Sequence, residues 1–265
     1  MRRVILALSV LAVPAAVRAH DTWLLPGRWA VPVGQSVVLD LTSAMDFPTP
    51  ETAARPDRLV DRSMRVGGVV SALEVSPVAA GAKVLQLSAT PAAAGVATLW
   101  ITTRPRTLEL KPDEVEHYLH EVGAGETIGA QWRRSADKTW RETYVKVAKT
   151  FVRVGEAPKD ESWREAAGAS LDLVPADDPT ALSSGQDLPF VLLWNGKPLA
   201  DLTVGAVAGA GGTPTLARTD AEGRVTFRLD RPGPWLFRAT LIRPAAARRG
   251  EWDSVFTTVT VSVRP

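Results

Sequence analysis

The sequence predicts a mainly β protein made of two tandem β-sandwich domains, with a short helical insertion in or after the first. Three observations lead to this prediction. The C-terminal half contains short apolar runs separated by turn residues, about seven in about 100 residues, which is the spacing of an immunoglobulin-like sandwich. The N-terminal half repeats part of this pattern, and only residues 112–149 carry helix signals. An apolar content of 45% and 20 prolines among 265 residues are typical of a globular chain.

Residues 1–19 have the pattern of a secretory signal peptide. Arg2 and Arg3 precede an apolar run over 4–13, and small residues occupy positions 17 and 19. We expect cleavage after Ala19 and a periplasmic mature protein. The apolar run is too short to cross a bilayer, and no later segment is long and apolar enough, so we expect no membrane span in the mature protein.

The charge of the mature chain argues against nucleic-acid binding. The whole sequence has 31 basic and 29 acidic residues, a net charge of +2. Loss of residues 1–19 removes three arginines and no acid, which leaves 28 basic residues and a net charge of −1. A near-neutral chain has no electrostatic attraction for nucleic acid. The absence of cysteine excludes disulfides, thiolate metal sites and a cysteine nucleophile.

The first domain is expected over residues 20–155. A Gly-Gln turn at 34–35 leads into an apolar strand, as a second Gly-Gln pair does at 185–186, and further strands are predicted at 71–75, 83–88 and 96–103. A helical segment is predicted over about 112–149. Its first helix begins at Pro112, with acidic residues in the first turn, and ends at Gly123. A second helix is predicted from near Ser135, with Trp140, Tyr144 and Val147 on one stripe, before a strand over 150–154.

The second domain is expected over residues 170–265, after a polar linker at 156–169. Its predicted strands are residues 188–194, 202–207, 215–218, 224–229, 235–242 and 254–263. Residues 220–223 predict a hairpin turn in which Gly223 adopts positive φ. Val225, Phe227 and Leu229 alternate with polar residues, so this strand is predicted to have one buried face.

The three histidines of the chain are the candidate metal ligands. Cleavage after Ala19 makes His20 the first residue, and its free α-amine and imidazole Nδ1 together form a chelating pair suited to nickel, cobalt, copper or zinc. His117 and His120 are three residues apart in the first predicted helix, so they share one face. Glu116, Tyr118 and Glu121 lie close to them in sequence as further ligands or supporting groups.

The residues leave three functions open. The first is a binding protein, not an enzyme, that captures a divalent transition metal and passes it to a membrane metal transporter. The second is a copper mono-oxygenase, because an N-terminal histidine with a second histidine on a β-sandwich is the ligand set of a histidine brace. The third is an interaction or adhesion module in which the histidines bind no metal. Signatures of serine hydrolases, phosphate loops and zinc proteases are absent from the sequence.

Several short motifs resemble one family of secreted bacterial proteins. They are the segments at 19–24, 116–119, 144–149, 217–224 and 252–254. In this order they resemble the DUF4198 family. The resemblance implies a periplasmic β-rich protein linked to nickel or cobalt uptake, and it implies a ligand role for His20. Many relatives have a histidine where this chain has Leu241.

Overall fold

The computed structural model describes residues 20–135, 138–156, 159–209 and 213–265. The predicted signal peptide, residues 1–19, lies outside the described residues. Within the described ranges β-strands are the main regular structure, with two short α-helices between the tenth and eleventh strands.

The first part of the described chain contains eleven strands and two α-helices. They are β1 (Asp21–Pro26), β2 (Ala30–Val31), β3 (Val37–Ala44), β4 (Thr52–Ala53), β5 (Leu59–Val66), β6 (Val69–Ala72), β7 (Glu74–Val75), β8 (Leu85–Ala89), β9 (Gly95–Thr103), β10 (Arg106–Leu110), α1 (Pro112–Glu121), α2 (Thr127–Arg134) and β11 (Trp140–Val154). Short 3-10 helices cover Pro56–Arg58 and Ser162–Arg164.

The remaining strands follow the second 3-10 helix. They are β12 (Leu171–Pro175), β13 (Gln186–Trp194), β14 (Lys197–Pro198), β15 (Thr203–Ala208), β16 (Thr215–Arg218), β17 (Arg224–Leu229), β18 (Gly233–Pro244) and β19 (Trp252–Val263).

The described strands form three sheets. The first has the order β1-β3-β8-β7, with β4 also paired to β3, and the third has the order β12-β13-β14, with β17 also paired to β13. The second sheet has ten strands in the order β16-β15-β18-β19-β11-β9-β5-β6, with β2 and β10 paired to β11. One apolar core contains side chains of the first and second sheets, and another contains side chains of the second and third. The predicted fold class, mainly β with sandwich architecture and a short helical insertion, is confirmed.

The turn before β17 shows how sequence determines this architecture. Gly223 has φ of +72°, and its N–H donates to the Asp220 carbonyl at 3.0 Å. The Asp220 carboxylate accepts the N–H groups of Glu222 and Arg224. A Cβ on Gly223 would lie 2.8 Å from the Leu192 carbonyl oxygen, so the close approach and the positive φ both require glycine. The apolar residues of β17 are buried in alternation, as predicted.

Strand β11 connects the two halves of the chain. It pairs in parallel with β19, from Glu142 opposite Trp252 to Thr150 opposite Thr260, and antiparallel with β9 on its other side. Strands from residues 20–155 and from 170–265 therefore belong to one ten-stranded sheet. The proposed domain boundaries themselves stay a prediction.

The predicted second helix is wrong. The chain is helical over Thr127–Arg134, and from Trp140 it is extended. The sequence pattern misleads because Trp140 and Tyr144 are four residues apart. That spacing places two side chains on the same face of a strand as well as on the same face of a helix. Pairing with β10 and β19 then favours the strand, which contains the β-branched residues Thr143 and Val145. The first helix is confirmed, beginning at Pro112 and ending before Gly123, which has φ of +72°.

The predicted strand at 71–75 is divided between two sheets. Val69–Ala72 pairs with β5 in the second sheet, and Glu74–Val75 pairs with β8 in the first. Leu73 lies between them with a fully buried side chain, and its N–H donates to the Arg62 carbonyl at 2.9 Å.

The described part of segment 156–169 packs closely on the sheets. Trp163 is buried in the core that also contains residues of β12 and β13. The buried guanidinium of Arg65 donates to the carbonyls of Ser162, Glu165 and Ala166. These contacts attach the segment to β5.

Candidate functional site

The candidate site lies where β1 packs against β19 of the second sheet. The hydroxyls of Thr258 and Thr260 in β19 donate to the carbonyls of Thr22 and Leu24, each at 2.6 Å. These bonds hold β1 on the buried face of β19 although the two strands belong to different sheets. His20, which precedes β1, is thereby held at the boundary between the first and second sheets.

His20 and Glu51 are brought together by strand pairing. Thr22 lies opposite Ser43 in β3, and Ser43 lies opposite Thr52 in β4. Glu51 directly precedes Thr52, and this pairing brings it close to His20. The His20 Nε2 is 3.4 Å from a Glu51 carboxylate oxygen. The two side chains are 42% and 38% exposed, so the contact is accessible to solvent.

Lys146 fixes the backbone of His20. Its ammonium donates to the His20 carbonyl at 2.7 Å and to the Thr22 hydroxyl at 3.1 Å. Burial lowers the pKa of Lys146 to about 8; the nearby Asp21 opposes this change, while Arg58 and Arg106 add to it. The residue that follows His20, Asp21, forms an ion pair with Arg238 in β18. Burial raises the pKa of the Asp21 carboxyl, against the opposing effect of Arg238.

A cavity of about 410 Å³ opens beside His20. Its walls come from β10, β11, α1 and β19. The side chains that define it are His20, Arg106, Tyr118, Tyr144, Lys146 and Phe256. The site thus combines a partly exposed imidazole, two cations and three aromatic rings.

The structure does not group the three histidines. His117 and His120 are exposed on α1. Of the neighbours singled out by sequence, Glu116 forms an ion pair with Arg133 at 2.8 Å, and Tyr118 is buried. In the part of the chain that the structure describes, no three His, Asp or Glu side chains are grouped to hold one metal ion. The ligand roles of His20, His117 and His120 stay predictions.

Helix α1 is attached to the sheet by a buried carboxyl group. Glu142 in β11 accepts hydrogen bonds from the Tyr118 hydroxyl and the Trp140 indole, each at 2.8 Å, and from the Ser254 hydroxyl. Burial raises the pKa of Glu142 above its ordinary value of 4.5, and the three hydrogen bonds oppose this. Next to Glu142, the Trp140 and Trp252 rings stack with centroids 4.7 Å apart.

The raised pKa of Glu142 predicts that the stability of the protein depends on pH. Because the folded state holds a proton that the unfolded state has lost, the free energy of unfolding should fall as pH rises from 4.5 through the raised pKa of Glu142. Within that window the slope contributed by Glu142 should approach about 1.4 kcal/mol per pH unit. Urea unfolding of the Glu142→Gln variant should lack this contribution, and the exposed Glu74→Gln variant should keep it. Identical pH profiles for the two variants would contradict the assignment.

Sequence reasoning missed Glu51 and Lys146. Glu51 is 31 residues from His20 and reaches it only through the pairing of β3 with β1 and β4. Lys146 lies in the wrongly predicted second helix, and its contact with His20 spans 126 positions in the sequence. The Tyr144–Lys149 motif was the only sequence signal near Lys146.

The fold and the site define a mainly β protein of sandwich architecture with a partly exposed histidine before its first strand and a cavity beside it. Over residues 17–243 the sequence matches a family model described as a domain of unknown function (DUF4198). The chain belongs to the DUF4198 family, and the predicted resemblance is confirmed. No curated protein matches the sequence.

Solved structures show likeness at low identity. The adhesin InvE of Yersinia pseudotuberculosis is 14% identical, with 90% of this chain and 58% of that chain covered and a TM-score of 0.25. A two-domain fibronectin type III segment of chicken tenascin is 11% identical, with 93% of each chain covered and a TM-score of 0.22. Domains of Escherichia coli alpha-2-macroglobulin are 12% identical, with 91% and 97% covered and a TM-score of 0.22. This chain spans less than two thirds of the InvE structure.

Within the described ranges, no helix combines the length and apolar character needed to cross a bilayer.

Proposed function

We propose that the protein is a periplasmic binding protein that captures a divalent transition metal and hands it to a membrane metal transporter. Nickel or cobalt is the favoured cargo, because the family resemblance implies it; copper and zinc also suit amine and imidazole ligands. The observation that carries the proposal is the contact between His20 Nε2 and Glu51.

That contact supports a ligand role for the other ring nitrogen. Histidines that bind metals almost always donate their second ring N–H to a carboxylate, a carbonyl or water. The Nε2 nitrogen lies 3.4 Å from the Glu51 carboxylate. In the neutral tautomer that keeps its proton on Nε2, Nδ1 carries the lone pair. After cleavage at Ala19, the α-amine of His20 would be separated from Nδ1 by three carbon atoms, and the two nitrogens could close a six-membered chelate ring on one metal ion.

The surroundings of His20 support transfer rather than permanent storage. Lys146 holds the His20 carbonyl, and the side chains of His20 and Glu51 are partly exposed. Two nitrogen ligands leave coordination positions open for ligands of a receiving protein. A structural metal site would instead be closed by four protein ligands.

The first experiment measures the affinity of the chain beginning at His20 for Ni²⁺, Co²⁺, Cu²⁺ and Zn²⁺ by calorimetry. The His20→Ala variant keeps an α-amine and lacks the imidazole. We expect it to lose tight binding of each metal that the unchanged protein binds, because one of the two chelating nitrogens is absent. Equal affinities in the two proteins would overturn the proposal.

The two helix histidines are tested separately. A double variant, His117→Ala with His120→Ala, removes the exposed pair on α1 and leaves His20 and Glu51 in place. Reduced affinity in this variant would assign the pair to the metal site. Unchanged affinity would restrict the site to His20 and its neighbours.

Removal of the Glu51 carboxylate should weaken metal binding. Since a carboxylate on the second ring nitrogen orients the imidazole and raises its basicity, Glu51→Ala is expected to lower the nickel affinity about tenfold. Glu51→Gln keeps an oxygen acceptor and should lose less. The exposed Glu74→Ala, on β7, is the matched control for loss of one negative charge. Equal nickel affinities in Glu51→Ala and Glu74→Ala would contradict the role of Glu51.

A further inference from the structure

The cavity beside His20 contains cations without carboxylate partners. Arg106 lies in β10 opposite Tyr144 of β11, and it forms no ion pair within the part of the chain that the structure describes. Lys146 donates to the His20 carbonyl and the Thr22 hydroxyl, both of which are uncharged acceptors. The two positive charges on the cavity wall are therefore not neutralised by direct contacts.

A third cation lies behind Tyr144. The Cζ of Arg58, at the end of the first 3-10 helix, is 5.8 Å from the Tyr144 ring centroid. One of its guanidinium nitrogens donates to the Arg104 carbonyl at 2.7 Å, while its buried Nε has no hydrogen-bond partner among the described residues. Arg58 is not among the side chains that line the cavity, and its charge adds to the positive surroundings of the site.

Two acids close to the cavity form ion pairs with other arginines. Glu109, on the cavity wall, pairs with Arg141 at 3.1 Å. Asp21, close to Lys146, pairs with Arg238. Because neither carboxylate contacts Arg106, an external anion is the electrostatic complement of this wall.

The other walls and the volume limit the size of that anion. Tyr144 and Phe256 meet edge to face, with centroids 6.1 Å apart, and both line the cavity. A cavity of about 410 Å³ is within the range for small-molecule sites. An arginine side chain on the wall suits a carboxylate, which it can bind through two parallel hydrogen bonds.

We propose that this cavity binds the carboxylates of a small organic di- or tricarboxylate next to His20, so that the protein takes its metal as a carboxylate complex. The metal part of this inference rests on the proposed function. The carboxylate site itself rests on Arg106, Lys146 and the cavity, and it can be tested without metal.

The experiment is a calorimetric titration of citrate into the protein beginning at His20, once metal-free and once loaded with nickel. Citrate should bind in both states and more tightly to the loaded protein. Arg106→Gln should weaken citrate binding at least about tenfold, because a charge-assisted bidentate contact is lost. Arg249→Gln removes an exposed arginine of the loop after β18 and should leave citrate binding unchanged.

The outcomes separate this inference from the proposed function. No citrate binding in either state, or equal citrate affinity in Arg106→Gln and Arg249→Gln, would overturn the carboxylate site even if nickel alone binds. Citrate binding that depends on Arg106 in a protein that fails to bind nickel would support the carboxylate site and refute the metal function.

Discussion

Replacement of Asp172 by alanine should destabilise the protein by about 3–5 kcal/mol, because the ammonium of Lys149 would remain buried without its partner. Lys149 in β11 and Asp172 in β12 form an ion pair in which both side chains are only 2% exposed. The pair connects the second sheet to the third. Asp172 also accepts the N–H of Ala167 at 2.6 Å, so the substitution removes two interactions at once.

The matched control is an exposed ion pair between neighbouring strands. Asp187 and Arg228 lie 3.3 Å apart with exposures of 60% and 64%. Asp187→Ala should cost less than about 1 kcal/mol, since solvent screens such pairs. Urea unfolding of both variants measures the difference. Similar losses in Asp172→Ala and Asp187→Ala would mean that the Lys149 charge is not buried as the structure describes.

A run of five glycines added before His20 should lower nickel affinity more than about 100-fold. The extension turns the α-amine into an amide and leaves the imidazole and Glu51 unchanged. Loss of a group that hydrogen-bonds to a metal ligand lowers metal affinity about 10–100-fold, and loss of a direct ligand should lower it more. A single added residue is a poorer test, because its own amine and the intervening amide could chelate metal together with the imidazole.

The control for this prediction carries the same five glycines after Pro265. Calorimetry should give this protein the nickel affinity of the unextended chain. If both extended proteins bind nickel as the unextended chain does, the α-amine is not a ligand, and the chelate assigned to His20 is wrong.

Local sequence patterns predicted much of the fold. The alternation in Arg224–Leu229 and the turn before it gave that strand with correct bounds, because both signals arise from residues adjacent in sequence. Strand β11 was partly misassigned, because its partner β19 lies about 110 positions away and pairing at that distance leaves no local periodicity. The buried Glu142 likewise depends on Ser254 from β19 as well as on nearby residues.

The candidate site was predictable only in part. His20 was identified because the predicted signal-peptide cleavage would make it the first residue. Glu51 could not be found, because its contact with His20 depends on three strands in register. Arg106 had no distinguishing sequence context, and its significance comes from the cavity between β10, α1 and His20.

Nickel K-edge X-ray absorption of the protein beginning at His20, loaded with one equivalent of Ni²⁺, tests the central claim most directly. We predict a shell of nitrogen and oxygen ligands with the outer-shell scattering of an imidazole, and we predict that His20→Ala removes the His20 contribution. Nickel without imidazole scattering, or an unchanged spectrum in His20→Ala, would contradict the assignment of His20 as the metal-capturing residue.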